Sequence, residues 1–221
     1  MSEITLNTII SDPEVQSLIA SADHNLEEIG YTEHGPRHLG VVAERARRII
    51  LGLGHSEREA ELAAIAGHMH DIGNVVNRRQ HALFGAVLAR PILLRLGMDF
   101  DEANKIIAAI GNHHEGEGEP VSNISAALII ADKSDVHSSR VRASGDVVGD
   151  IHDRVNFAAV SSDIFIKNEG KTIGIEILIA PKVASVMEYF EIFLQRMHSS
   201  KVAAEYLGAD FELIINGVKL A

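Results

Sequence analysis

The chain has 221 residues, 46% of them hydrophobic, a formal charge of −11 and no cysteine. That length and apolar content are enough for a buried core and argue against disorder. The missing cysteines exclude disulfides, thiolate metal sites and cysteine nucleophiles. The net charge argues against non-specific nucleic-acid or anionic-membrane binding, both of which need a positive field.

Met1-Ser2-Glu3-Ile4 shows no basic segment leading into an apolar run, so no signal peptide is expected. No apolar run approaches the roughly 20 residues of a membrane span, and a cytoplasmic location is the expectation. Asp12-Pro13 predicts a helix start, with Asp12 as cap. Pro36 opens a second helix whose Leu39, Val42, Ala46, Ile49, Ile50 and Leu53 keep helical spacing up to Gly54. Ser56 and Glu59 read as a capping box for a third helix, which delivers His70-Asp71 near its end, and Gly73-Asn74 breaks it. A fourth helix is expected from Gln80 or His81 to Leu96, with Pro91 as a kink and Gly97 as the stop. Asp99 and Glu102 read as a second capping box, opening a helix that leads to His113-His114. A loop follows, and Ser122 caps a helix whose stripe of Ile124, Ala127, Leu128 and Ala131 leads to Asp132.

The texture changes near residue 153. Segments 155–167 and 172–180 are rich in β-branched residues around the turn Asn168-Glu169-Gly170-Lys171. Pro181 marks the expected start of a long helix, and 211–218 reads as a last strand. The expected architecture is mainly α: a helical metal-binding domain over 1–153 and a small α+β (β-β-α-β) subdomain over 154–221.

The chemistry concentrates in Gly67-His68-Met69-His70-Asp71-Ile72-Gly73-Asn74. A charged carboxylate at the end of an apolar helix costs several kcal/mol, about 3 or more, unless a partner or a metal compensates. His34, His38, His81, His113, His114 and Asp132 supply further imidazole and carboxylate donors, which suit Fe, Mn, Co, Ni or Zn. Of the other histidines, His24, His55, His68, His137, His152 and His198 are read as structural or surface residues.

The order His38, His70-Asp71, Asp132 resembles the HD superfamily of metal-dependent phosphohydrolases. The strings Ala64-Ile65-Ala66-Gly67-His68-Met69-His70-Asp71-Ile72-Gly73 and Ala127-Leu128-Ile129-Ile130-Ala131-Asp132-Lys133 are similar to the family's motifs, and the resemblance covers roughly residues 30 to 140. His81 and Asn112-His113-His114-Glu115 resemble the extra ligand positions of its multinuclear branches, the HD-GYP phosphodiesterases and the dinucleoside-tetraphosphate hydrolases.

The resemblance implies two divalent ions bridged by Asp71, one held by His38, His70 and Asp132 and the other by His81, His113 and His114. His34 occupies the place of an extra ligand, for a third ion. The resemblance further implies a catalytic role for His70 and Asp71 and hydrolysis of a small phosphate ester, a nucleotide above all, by metal-activated water. Asn74 stands where many members carry a lysine; Asn74, Arg78, Arg79 and Lys133 are the candidate substrate-binding residues. The Glu117-Gly118-Glu119-Pro120 stretch lacks the tyrosine of the GYP motif, which argues against a cyclic-di-GMP enzyme. Two other readings stay open: a di-iron HD oxygenase on the same ligand set, and a non-catalytic nucleotide-binding regulatory domain. The subdomain could cover the site or form a homodimer interface.

Overall fold

A computed structural model describes residues 3–221; Met1 and Ser2, half of the segment read for a signal sequence, lie outside the described residues. Two short helices open the chain. The first, α1 (Leu6–Ile10), is capped by Thr5 and has no counterpart in the sequence reading. The second, α2 (Pro13–Glu28), begins as expected, with the Asp12 carboxylate accepting from the amides of Glu14 and Val15.

The centre of the molecule is built from α3 (Pro36–Gly52), α4 (Glu57–Met69), α5 (His81–Arg95), α6 (Phe100–Gly111) and α7 (Asn123–Ser134). Of these, α7 is buried from Ile124 to Ser134, so the other helices surround it. Two glycines set the packing of α3, α4 and α5. A Cβ on Gly67 would lie 2.8 Å from the Ala43 Cα, so only glycine lets α4 rest on the backbone of α3. A Cβ on Gly73 would lie 1.9 Å from the carbonyl oxygen of His81, so the 3₁₀ turn Ile72–Val75 closes against α5 only because it carries no side chain there. Pro91 lies inside α5, which continues past it to Arg95.

Both expected capping boxes are half made. Ser56 accepts from the Glu59 amide, but the Glu59 carboxylate turns to Asn123 (3.2 Å). Asp99 caps α6, while Glu102 takes the Arg58 guanidinium (Nε–Oε1 2.7 Å). A tertiary partner outcompetes the local one in each case.

The C-terminal part comprises α8 (Ile151–Ala158), β1 (Ala159–Lys167), β2 (Thr172–Ile179), α9 (Val186–Tyr206), β3 (Asp210–Ile215) and β4 (Val218–Lys219). The sheet order is β1-β2-β3-β4, with β2 and β3 parallel and the outer pairs antiparallel. Three expectations are corrected. Residues 155–158 belong to a helix rather than a strand, because Asp150 caps α8 and its Val155 and Ala158 are buried. The long helix starts at Val186 rather than Pro181, because Ser185 and Glu188 form a full capping box. The last strand breaks at Asn216-Gly217, whose φ values of 51° and 77° turn the chain into the short β4.

The sheet does not sit apart. Ile164, Ile173 and Ile175 belong to the same core as Ile49 and Ile130. Arg45 of α3 joins Ser134 of α7 (2.9 Å) to the Ser162 carbonyl of β1. Among the described residues no helix is long and apolar enough to cross a membrane.

Candidate metal centre

Asp71 ends the α4 segment at the start of the 3₁₀ turn and is buried with His70. Four imidazoles surround it, and each has its Nδ1 committed elsewhere. His38 Nδ1 donates to Asp135 Oδ2 (2.7 Å) and His70 Nδ1 to the Gly67 carbonyl (2.8 Å). His81 Nδ1 donates to the Arg78 carbonyl (3.0 Å) and His113 Nδ1 to the Ile110 carbonyl (2.7 Å). A carbonyl or carboxylate can only accept, so each neutral ring keeps its Nε2 lone pair for the centre, that of His81 also lying 3.4 Å from Arg78 Nη1.

Those four Nε2 atoms sort onto the two oxygens of Asp71. His70 and His38 face Oδ2 at 3.2 and 3.8 Å. His81 and His113 face Oδ1 at 3.3 and 3.9 Å. Asp132 closes the first side, its Oδ1 lying 3.5 Å from His38 Nε2 and 3.8 Å from His70 Nε2.

A cation fits this arrangement on its own evidence. His38 Nε2 and His70 Nε2 are buried without a hydrogen-bond partner. The Nε2 atoms of His81 and His113 stand 3.2 Å apart, two lone pairs facing one another. The donors fall into three compact, fully buried groups: His38–His70–Asp71, His70–His113–Asp132 and Asp71–His81–His113.

Protonation follows the same logic. Burial pushes His81 down to about 4 against the pull of Asp71, and burial with the charge of His70 pushes His113 well below the usual imidazole range. Both are neutral donors at neutral pH. Burial alone would lower His70 and raise Asp71, but their mutual attraction wins in both, so His70 is raised and Asp71 held well below the usual carboxylate range.

The remaining predicted residues differ in place. His34 lies before α3 rather than on it, half-buried, with Nδ1 donating to the Thr32 carbonyl (2.6 Å); its ring is 5.4 Å from that of His38 and it joins none of the three groups. His114 is a quarter exposed, with its ring 4.7 Å from that of His81, and also stands outside the groups. Asn74 is buried and spends its amide on Asp71, donating to the backbone oxygen (2.9 Å) and to Oδ1 (3.0 Å). Arg79 is exposed and its side chain does not line the cavity at the centre, whereas Arg78 and Lys133 do.

That cavity is about 420 Å³ and opens beside Asp71, His81, His113 and Asp132. Sequence reading missed several of its determinants. Asp135 orients His38 and is itself clamped by Arg37 (2.7 and 3.2 Å). Its carboxyl is held below the usual range because His38 and Arg140 outweigh its burial. The helix α9 places Phe193 and Arg196 in the wall, and His152, read as a surface residue, stands at the mouth. Asp135 stands just past the end of α7, where an aspartate carries no local sign of a partner across the fold. No local signal marks Arg196.

Residues 37–139 match the family model described as HD domain, a span holding every donor of the three groups but not His34 or the C-terminal sheet. The chain is 24% identical over 197 residues to an uncharacterized protein of Methanocaldococcus jannaschii, covering 79% of this chain and 74% of that one. It is 33% identical over 105 residues to ribonuclease Y of Lawsonia intracellularis, covering 46% of this chain and 18% of that enzyme. A solved structure of a predicted HD superfamily hydrolase from an uncultured Thermotogales bacterium aligns with a TM-score of 0.45 at 22% identity, over 59% of this chain and 73% of that one.

Proposed function

We propose that this protein is a metal-dependent phosphohydrolase of the HD type that holds two divalent ions across Asp71 and hydrolyses a small phosphate ester, a nucleotide by preference. The observation that carries the reading is the sorting of four inward-facing Nε2 atoms, two to each oxygen of one buried carboxylate. The match of residues 37–139 to the HD domain supports it.

His38, His70 and Asp132 would hold one ion, and His81 and His113, with His114 alongside, the other. Bound there, a divalent ion supplies Lewis acidity, lowering the pKa of water from about 16 toward neutrality and polarising a phosphoryl oxygen. The chain's own residues do the rest. Asp135 and the carbonyls of Gly67, Arg78 and Ile110 fix the tautomers, and Asn74 fixes the Asp71 carboxylate. Arg78 and Lys133 bring positive charge to the cavity wall, which attracts an anionic ester. A volume of about 420 Å³ suits a ligand the size of a nucleotide.

The test is metal content per chain on protein purified without added metal or chelator, with hydrolysis of a phosphomonoester and a phosphodiester run alongside. About two ions and metal-dependent hydrolysis are expected. Asp71→Ala is expected to lose both ions and the activity while keeping its helical circular dichroism. Full metal content in that variant sinks the bridging role. Bound iron with oxygen consumption and no hydrolysis moves the assignment to an oxygenase.

A further inference from the structure

Four cations reach the cavity: Arg78, Lys133, Arg140 and Arg196. They are not equally available. Lys133 is pinned between Asp132 and Glu115, with Nζ 2.6 Å from each. Arg140 spends Nη1 on the Asp135 carbonyl (2.8 Å) and Nε on the Glu33 carbonyl (3.1 Å). Arg78 is half-buried and sets Nη1 3.4 Å from both Asn74 Oδ1 and His81 Nε2. Arg196 is different. Only its Nη2 is used, on the Asp132 backbone oxygen (3.2 Å), while Nε is buried without a partner.

A guanidinium donor buried and unpaired is destabilising unless an acceptor arrives. The surroundings of Arg196 hold it ready for one. Its guanidinium lies over the Phe193 ring, 5.1 Å from the centroid, which fixes its plane. Its Nη2 is 3.5 Å from Asp132 Oδ1, the oxygen that also faces His38 and His70. Glu115 Oε1 stands 3.9 Å from Nε, close enough to balance its charge and too far for a hydrogen bond.

We propose that Arg196 binds a non-bridging phosphoryl oxygen of the substrate, so that helix α9 of the C-terminal segment completes the active site. This rests on the phosphohydrolase reading. The planar fork of arginine matches phosphoryl oxygens in a way a lysine point charge does not. A residue whose purpose was to brace Asp132 would spend that fork on the carboxylate; Arg196 gives Asp132 one hydrogen bond, to its backbone. Arg196 lies beyond residue 139, so the segment matching the HD domain lacks this group.

The experiment is calorimetric titration of metal-loaded full-length protein with inorganic phosphate, together with steady-state hydrolysis and metal content, for wild type, Arg196→Gln and Arg196→Lys. Arg196→Gln is expected to weaken phosphate binding about 10- to 100-fold and to raise KM by a similar factor, with metal content and Tm unchanged. Arg196→Lys restores part of the loss. Unchanged phosphate affinity in Arg196→Gln overturns the assignment and leaves the phosphohydrolase reading standing. Loss of metal from that variant also overturns it, showing a brace on Asp132. If Arg196→Gln does not fold, Arg196→Lys decides, and wild-type phosphate affinity in it overturns the assignment. A wild-type protein that takes up metal but neither binds phosphate nor hydrolyses any ester brings down the phosphohydrolase reading itself.

Discussion

Each histidine of the centre works through both nitrogens, and the outer one decides what the inner one can do. His38 shows this best, because its Nδ1 partner is a carboxylate rather than a carbonyl. Asp135 keeps Nδ1 protonated, and Arg37 and Arg140 keep Asp135 ionised. Asparagine at 135 would keep the shape and remove the charge. Asp135→Asn is expected to lower metal affinity about 10- to 100-fold in competition with a chelator, with circular dichroism unchanged. An unaltered chelator midpoint would show that His38 needs no such partner. Part of the cluster gathered around Asp71 was visible in the sequence, because adjacent pairs such as His70-Asp71 have few structural reasons to exist. Asp135 was not, since an aspartate after a helix end usually reads as a solvated stop.

At the scale of elements, the site depends on how closely the 3₁₀ turn carrying Gly73 sits against α5. No side chain mediates that contact; the two backbones touch. Gly73→Ala would drive a methyl group into the His81 carbonyl and separate Asp71 from His81. The expected result is a loss of about 1–3 kcal/mol in stability, read from denaturant unfolding, and a disproportionate loss of metal. Full metal occupancy in a stable Gly73→Ala protein would refute the close contact. Helices with side-chain caps, such as those after Asp12 and Ser122, were readable because a cap is a local signal. Tertiary packing overrides composition at Val155, which is β-branched yet buried in a helix. The helix start at Ser185 has a local cause instead, since the Ser185–Glu188 box outranks Pro181 as a start signal.

For the whole molecule, the decisive fact is that the sheet and the helices share one core while α9 also walls the cavity. Sequence could assign residues 154–221 a fold but not a role, since Arg196 meets Asp132 across 64 positions. Shared packing implies that the whole chain unfolds together and that ligands of the centre stabilise all of it. Ligand present at one hundred times its Kd stabilises the folded state by about 2.7 kcal/mol. For a chain of this length that raises Tm by roughly 5–10 °C. Calorimetry of chelator-treated protein, before and after Mn²⁺ is restored, is expected to show one transition that moves up as a unit. Acidification should erase the shift, because protons compete with metal for the imidazoles. Two transitions, only one of them metal-sensitive, would mean that α9 melts independently of the centre it lines.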